Sequence, residues 1–505
     1  MTACTIWELL KTAQEQHGPQ DAVRYKAGKG VVEGKTYTEL LNDSESFSKA
    51  LCALGESGGR VALTGPSTYS WLTVYFGTVN MGATAVPLDV SLPAEELCEL
   101  IDRADATVLV SDELRADVLS MAKERCPKLR AVISMEREED GDGVLSLKRL
   151  LESHRDDPKT WEEPEPEQLA TILFTSGTTG KSKGVMLTHR NLAENATCLD
   201  MKFPERCVLL SVLPIHHAYC LSMDILKGLS LGSVICFNDS LLRVARNIKL
   251  FRPNVMLMVP MMIETLAKKL QDAAALPPEA VKNEVFGEQF HTICSGGAYL
   301  PPDMLDLFAK YGITILQGYG MTECAPVIST TVSWNVRKGS VGQLMPNCRA
   351  KTVDGELWVQ GSSVMLGYYK MPEETREALT EDGWLRTGDL GYVDEEGFVY
   401  LTGRRKNLII TKNGENVSPE ELENKLGEHR LVQEILVRES EGVIEAEIWP
   451  DAEYAAAQGI ADVREALQEL VDGFNRTVPP YKKILRLKLR DTEFPKTPSK
   501  KIKRY

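Results

Sequence analysis

What this chain lacks narrows its class. It lacks a basic balance: 58 Lys and Arg stand against 72 Asp and Glu, a formal net charge of −14. A general nucleic-acid binder carries a basic face, so no nucleic-acid partner is expected. Paired-cysteine spacing is missing too. Its 11 cysteines are scattered without CxxC or Cys/His ligand spacing, which points to free, mostly buried thiols in a reducing cytosol. The N-terminal run Met1 to Trp7 lacks the charged region and apolar core of a secretory signal. No apolar run reaches the ~18 residues needed to cross a bilayer. The expectation is a cytoplasmic protein without a transmembrane segment, whose membrane contact, if any, is peripheral. Internal repeats and long low-complexity tracts are absent.

The rest is ordinary globular composition, 43% hydrophobic and 26% charged. At 505 residues the chain is too long for one core, and about two to four domains or subdomains are expected. Residues 1 to about 150 alternate helical and strand patterns. Tyr37 to Leu54 has helical apolar spacing, whereas Arg60–Thr64, Ala85–Asp89 and Thr107–Ser111 read as strands. Such alternation argues for an α/β sheet. Residues 152–168 are charged and proline-rich, a surface connector. Alternation resumes from 169 to about 330, then gives way over 331–402 to short strands and turns, a small β subdomain. Gly403-Arg-Arg-Lys-Asn407 separates off a compact C-terminal region. Its first helix has a readable start: Ser418 as N-cap, Pro419 at N1 and Glu421 completing a capping box.

The chemistry starts at residues 174–188, Phe-Thr-Ser-Gly-Thr-Thr-Gly-Lys-Ser-Lys-Gly-Val-Met-Leu-Thr. Hydroxyls at Thr175, Ser176, Thr178 and Thr179 sit among Gly177, Gly180 and Gly184, followed by Lys181 and Lys183. Glycines let backbone N–H groups turn toward an anion, and hydroxyls and ammonium groups add donors and charge. The loop suits a polyphosphate. It is not a Walker A loop, because Thr175 stands where that pattern needs glycine. Its flanks read strand–loop–strand, not strand–loop–helix.

Further strings follow. In Gly318-Tyr-Gly-Met-Thr-Glu323, Tyr319 beside two glycines can lie flat on a planar base. Thr322 offers a hydroxyl, and Glu323 a hard carboxylate suited to Mg²⁺. Gly296 and Gly297 in Ser295-Gly-Gly-Ala298 permit close backbone approach. Asp389 in Trp384-Leu-Arg-Thr-Gly-Asp389 can accept from two ribose hydroxyls, and Arg404 can donate to them. Leu213-Pro-Ile-His-His217 is followed by Ala218. The chain closes on Pro495-Lys-Thr-Pro-Ser-Lys-Lys-Ile-Lys-Arg504, within a stretch where ten Lys/Arg between Tyr481 and Tyr505 face two acids.

Together these strings closely resemble the adenylate-forming superfamily of acyl-CoA synthetases, luciferases and peptide-synthetase adenylation domains, over nearly the whole chain. The resemblance implies a large N-terminal domain, 1–403. It comprises two α/β subdomains, 1–165 and 166–330, and a small β-barrel-like subdomain, 331–403. A small mobile α+β domain, 404–505, follows. It implies ATP, Mg²⁺ and coenzyme A as cofactors and co-substrate. Residues 175–181 and Lys183 would hold phosphates, and Thr322 would touch the α-phosphate. Gly296, Gly297, Ala298 and Tyr319 would shape the adenine pocket, and Asp389 and Arg404 would take the ribose. Glu323 would bind the metal, with His217 at the carboxylate pocket. Lys501 would be the catalytic lysine, with Lys500 an alternative register because the glycine common before that lysine is replaced here. Lys406 would be the hinge, and Gly414 would leave room for a pantetheine arm.

Amino-acid-activating relatives carry an aspartate near Ala218, so its absence argues against an amino-acid substrate. A fatty or other hydrophobic acid is expected. The acceptor is coenzyme A or, in the alternative, a carrier-protein phosphopantetheine. A degenerate nucleotide-binding protein is the third reading.

Overall fold

The computed structural model describes residues 3–28, 30–175, 182–204, 206–410, 415–496 and 502–504. The chain divides into two compact units. The first holds Met1–Ala350, Val359–Arg386 and Glu396–Phe398; the second holds Lys351–Trp358, Thr387–Glu395 and Val399–Tyr505.

Two large sheets organise the first unit. The eight-stranded sheet runs, edge to edge, Gly367–Tyr368, Lys183–Thr188, Leu169–Thr175, Thr84–Leu88, Arg60–Thr64, Val108–Ser111, Ala131–Ser134 and Leu145–Ser146. From Leu169–Thr175 across to Leu145–Ser146 its strands pair in parallel. They are short apolar runs such as Val108-Leu-Val-Ser111, buried along their length, as parallel strands between helical layers require. The nine-stranded sheet runs Gln343–Leu344, Val327–Thr330, Thr314–Gly320, Thr292–Ser295, Val255–Met258, Val208–Ser211, Val234–Phe237, Asp21–Lys26 and Val32–Thr36. Its centre is parallel, and antiparallel hairpins close both edges.

The sheets interleave in sequence. The N-terminal hairpin Asp21–Thr36 joins the nine-stranded sheet, and the hairpin Leu169–Thr188 joins the eight-stranded one. Helix Tyr37–Ala53 begins with a complete capping box, in which Thr36 and Glu39 exchange side-chain-to-backbone bonds.

An open four-stranded sheet has the order Cys348–Val353, Glu356–Gly361, Leu385–Val393 and Val399–Arg404. No closed barrel occurs among the described residues. The second unit continues with a three-stranded sheet, Val432–Ser440, Val443–Pro450 and Arg486–Leu489. It shares a core with helices Pro419–Gly427 and Val463–Asn475, built on Leu422, Leu426, Ile448, Leu467 and Val471.

The expected capping box at Ser418 does not form. Ser418 is the N-cap and Pro419 is first in the helix, but no side-chain cap bond is made. The Ser418 hydroxyl donates instead to Glu420, at 3.0 Å, and Glu421 is drawn to Lys482, at 2.6 Å. Among the described residues no helix is long and apolar enough to cross a membrane.

Candidate active site

The strands flanking the phosphate-type loop pair with each other. Strands Leu169–Thr175 and Lys183–Thr188 pair antiparallel, and the register sets Thr175 opposite Lys183. Two residues expected to meet phosphate thus flank the loop's mouth. Gly184, opposite Phe174, admits no larger side chain without displacement, since a Cβ would come within 3.0 Å of Ile172. The remaining loop residues, Ser176 to Lys181, lie outside the described residues.

Strand Gly367–Tyr368 lies along the hairpin's outer edge, with Tyr368 opposite Val185. The Lys183 ammonium stands over the Tyr368 ring, 4.7 Å from its centroid. The Tyr368 hydroxyl donates to Glu323 Oε1 at 2.8 Å. Burial, and then the Glu323 charge, push the Tyr368 phenol far up, so it stays a donor. One tyrosine therefore joins Lys183 to Glu323, and strand register sets Thr175 opposite Lys183.

Glu323 lies in a single 3₁₀ turn, Thr322–Cys324, after strand Thr314–Gly320. Buried Asn195 clamps the residues that follow it. Its amide donates to Val327 O at 2.8 Å and to Ser363 Oγ at 2.9 Å, and its carbonyl accepts from Val327 N at 3.1 Å. Gly320 is demanded by close approach, because a Cβ there would lie 1.9 Å from Pro326 O.

The adenine candidates also converge. Strands Thr292–Ser295 and Thr314–Gly320 are parallel neighbours with Ser295 opposite Gln317. Gly296–Ala298, just past one strand, and Gly318–Tyr319, among the last residues of its neighbour, therefore lie at the same carboxyl end, where open α/β sheets bind ligands. Gly297 has φ +86°, the left-handed region that glycine enters freely. Gly296 presses on Tyr219, whose ring a Cβ would meet at 3.0 Å. Tyr319 is 8% exposed.

His217 is exposed, on the turn before the π-helical stretch Cys220–Leu226. Its neighbour His216 is the more enclosed, with Nε2 3.8 Å from Asp89, and burial lowers its pKa.

In the second unit Asp389 and Arg404 are direct cross-strand partners. Arg404 Nε lies 2.6 Å from Asp389 Oδ1, and the aspartate is buried. Buried Glu356 ties the surrounding backbone together. It accepts from Gly388 N at 2.8 Å and from the Arg405 guanidinium at 2.6 Å. Lys406 lies in the 3₁₀ turn Arg405–Asn407, directly after Arg404. Gly414, Lys500 and Lys501 lie outside the described residues. The stems of the segment around Lys501 are described: Lys496 bridges to Ile502, and Arg504 pairs with Glu423.

Comparison with known proteins decides the family. The model of the AMP-binding enzyme family matches residues 10–369, and that of the AMP-binding enzyme C-terminal domain matches 406–505. The chain belongs to the AMP-binding enzymes.

Curated proteins similar to this AMP-binding enzyme include "Peroxisomal OPC-8:0-CoA ligase 1" of Arabidopsis thaliana, 29% identical over 93% of this chain and 87% of its own. "4-coumarate--CoA ligase-like 4" of Oryza sativa is 30% identical over 93% and 87%. "Long-chain-fatty-acid--CoA ligase FadD15" of Mycobacterium bovis is 28% identical over 84% and 78%. Among solved structures, ATP-bound MatB from Rhodopseudomonas palustris superposes with a TM-score of 0.83 at 26% identity, over 98% of this chain and 96% of that one.

Three side chains of this AMP-binding enzyme escaped sequence reasoning: Tyr368, Asn195 and Glu356. Each works through a partner distant in sequence, at separations of 45, 132 and 49 residues for the bonds to Glu323, Val327 and Arg405. A lone Tyr, Asn or Glu in an unremarkable string carries no spacing signal. Only the strand register exposes it.

Proposed function

We propose that this AMP-binding enzyme activates a hydrophobic carboxylic acid, a fatty acid first, and passes the acyl group to coenzyme A. The observation that carries the reading is the strand pairing that sets Thr175 and Lys183 at the mouth of a Thr/Ser/Gly-rich loop, with Glu323 tied beside them through Tyr368. The coenzyme A ligase names of relatives aligned over most of the chain support the second substrate.

In the first step a carboxylate oxygen attacks the α-phosphorus of ATP, and the bond to pyrophosphate breaks. Anion meets anion, so cation placement and alignment carry the acceleration. Lys183 and the loop hold the phosphates, and Lys501 bridges carboxylate and α-phosphate as a compact point charge on a flexible stem. Thr322 touches the α-phosphate. Asp389 and Arg404 take the ribose, and the glycine-rich turns receive adenine. In the second step the thiol sulfur attacks the acyl carbon, and AMP leaves.

Mg²⁺ fits Glu323. No cluster of three or more His, Cys, Asp or Glu that could hold a metal occurs among the described residues, and Mg²⁺ is typically held by one or two carboxylates, substrate phosphates and water. When bound, it would neutralise charge on the triphosphate.

The acyl class rests on the segment after His217 and on the strand that begins at Val327. Ala218, Leu221, Val327 and Ile328 are buried and apolar. The carboxylate in that segment, Asp224, is fully buried and accepts from Ser211 at 2.9 Å; burial pushes it up to about 7. A carboxyl that burial drives toward its neutral form is a poor counter-charge for a substrate ammonium.

The test is acid-dependent pyrophosphate release with Mg·ATP across fatty, aryl and amino acids, with and without coenzyme A. Release with a fatty acid, and thioester on adding coenzyme A, is the expected result. Acyl-AMP without a coenzyme A product would transfer the acceptor role to a carrier-protein phosphopantetheine. No release with any acid would overturn the ligase reading.

A further inference from the structure

We propose that Tyr368 is a positioning residue that couples the phosphate-loop hairpin to the metal-binding carboxylate, holding Glu323 by one oxygen while its ring carries Lys183. The inference rests on the acid-activation reading above.

The segment 365–369 is stitched to both partners through its backbone. Met365 N donates to Glu323 O at 2.9 Å. Leu366 N donates to Met186 O at 3.0 Å, and Tyr369 N to Gly184 O at 2.7 Å. Thr375 Oγ1 accepts from Tyr368 N at 2.9 Å. Gly367 has φ +139° and packs on Thr375, which a Cβ would meet at 2.7 Å. The tyrosine is 7% exposed, so its ring has little freedom to swing away.

Two consequences follow from the hydroxyl and the ring separately. The hydroxyl engages Oε1 and restrains rotation of the carboxylate, leaving Oε2 as the oxygen to take a hard cation. A free carboxylate would rotate, and ordering it would cost binding energy each time the metal–nucleotide entered. The ring stabilises the Lys183 ammonium electrostatically without neutralising it, as an ion pair with Glu323 would. Tyr368 thereby keeps a cation and an anion in one small site from quenching each other.

The experiment compares Tyr368→Phe and Tyr368→Leu with the parent enzyme by calorimetric binding of Mg·ATP, and of ATP in excess EDTA. Thermal unfolding serves as the check on folding. Tyr368→Phe loses the hydroxyl and keeps the ring. It is expected to weaken Mg·ATP binding by roughly tenfold and to leave metal-free ATP binding unchanged. Tyr368→Leu loses both, and should weaken metal-free ATP binding as well. If Tyr368→Phe binds Mg·ATP like the parent, the tyrosine is merely packed in the core and the proposal fails. If it weakens ATP equally with and without metal, the coupling to Glu323 fails. A parent enzyme that binds no Mg·ATP would instead overturn the acid-activation reading, and the two failures are thus distinct.

Discussion

Replacing Asn195 with alanine tests whether the Glu323 turn is held by one buried amide. Asn195 is 1% exposed and sits on helix His189–Thr197. Its side chain makes four bonds: to Val327 O at 2.8 Å, to Ser363 Oγ at 2.9 Å, to Cys324 O at 3.4 Å and from Val327 N at 3.1 Å. Ser363 keeps a second partner, since Asn347 Nδ2 donates to it at 2.6 Å. The loss therefore falls on the Val327 backbone and, more weakly, on the Cys324 carbonyl. A bond removed from a buried partner costs about 1 kcal/mol, and up to about 3 kcal/mol where the partner goes unsatisfied. Together with the packing lost from the amide, Asn195→Ala should destabilise the first unit by about 3 kcal/mol. Urea titration monitored by circular dichroism, with the m-value checked, measures it. Because the bonds anchor the chain just after Glu323, the fitted dissociation constant for Mg·ATP should rise as well. A loss below about 1 kcal/mol, with unaltered Mg·ATP binding, would refute the clamp.

Lys501→Ala should abolish acyl-AMP formation while largely sparing thioester formation from supplied acyl-AMP; survival of both half-reactions would remove that lysine from catalysis. Gly320→Ala places a Cβ 1.9 Å from Pro326 O, and the backbone cannot yield cheaply. Soluble yield and melting temperature should both fall, and an unchanged melting temperature would contradict the packing. Burial raises Asp224 from an ordinary carboxyl to about 7, so the folded state keeps a proton that the unfolded chain releases near pH 4. The associated stability is present below pH 4 and is lost as pH rises through 7, up to about 4 kcal/mol in all. Asp224→Asn should flatten the pH dependence of unfolding over this range and be the more stable form at pH 8; an identical slope in both proteins would show that Asp224 does not supply it.

The loop at 174–188 was legible because its chemistry is local. Hydroxyls, glycines and lysines within fifteen residues need only a turn to converge, and apolar triplets on both sides announce the hairpin that makes it. Glu323 after two glycines, and Asp389 and Arg404 in their strings, were legible for the same reason. The α/β class came from alternation of period, which is set residue by residue. The capping box at Ser418 was misread because its members had better partners elsewhere: Glu420 for the serine and Lys482 for Glu421.

Sequence by itself thus determined the chemical inventory and its local turns, since those depend on side-chain type and backbone preference over a few residues. Tertiary structure alone decided which groups meet. Long-range packing set Tyr368 between Lys183 and Glu323 and delivered Asn195 to Val327, and the register of one antiparallel pair put Asp389 opposite Arg404. Contacts between residues far apart in the chain depend on how whole sheets assemble, and no short stretch of sequence encodes that.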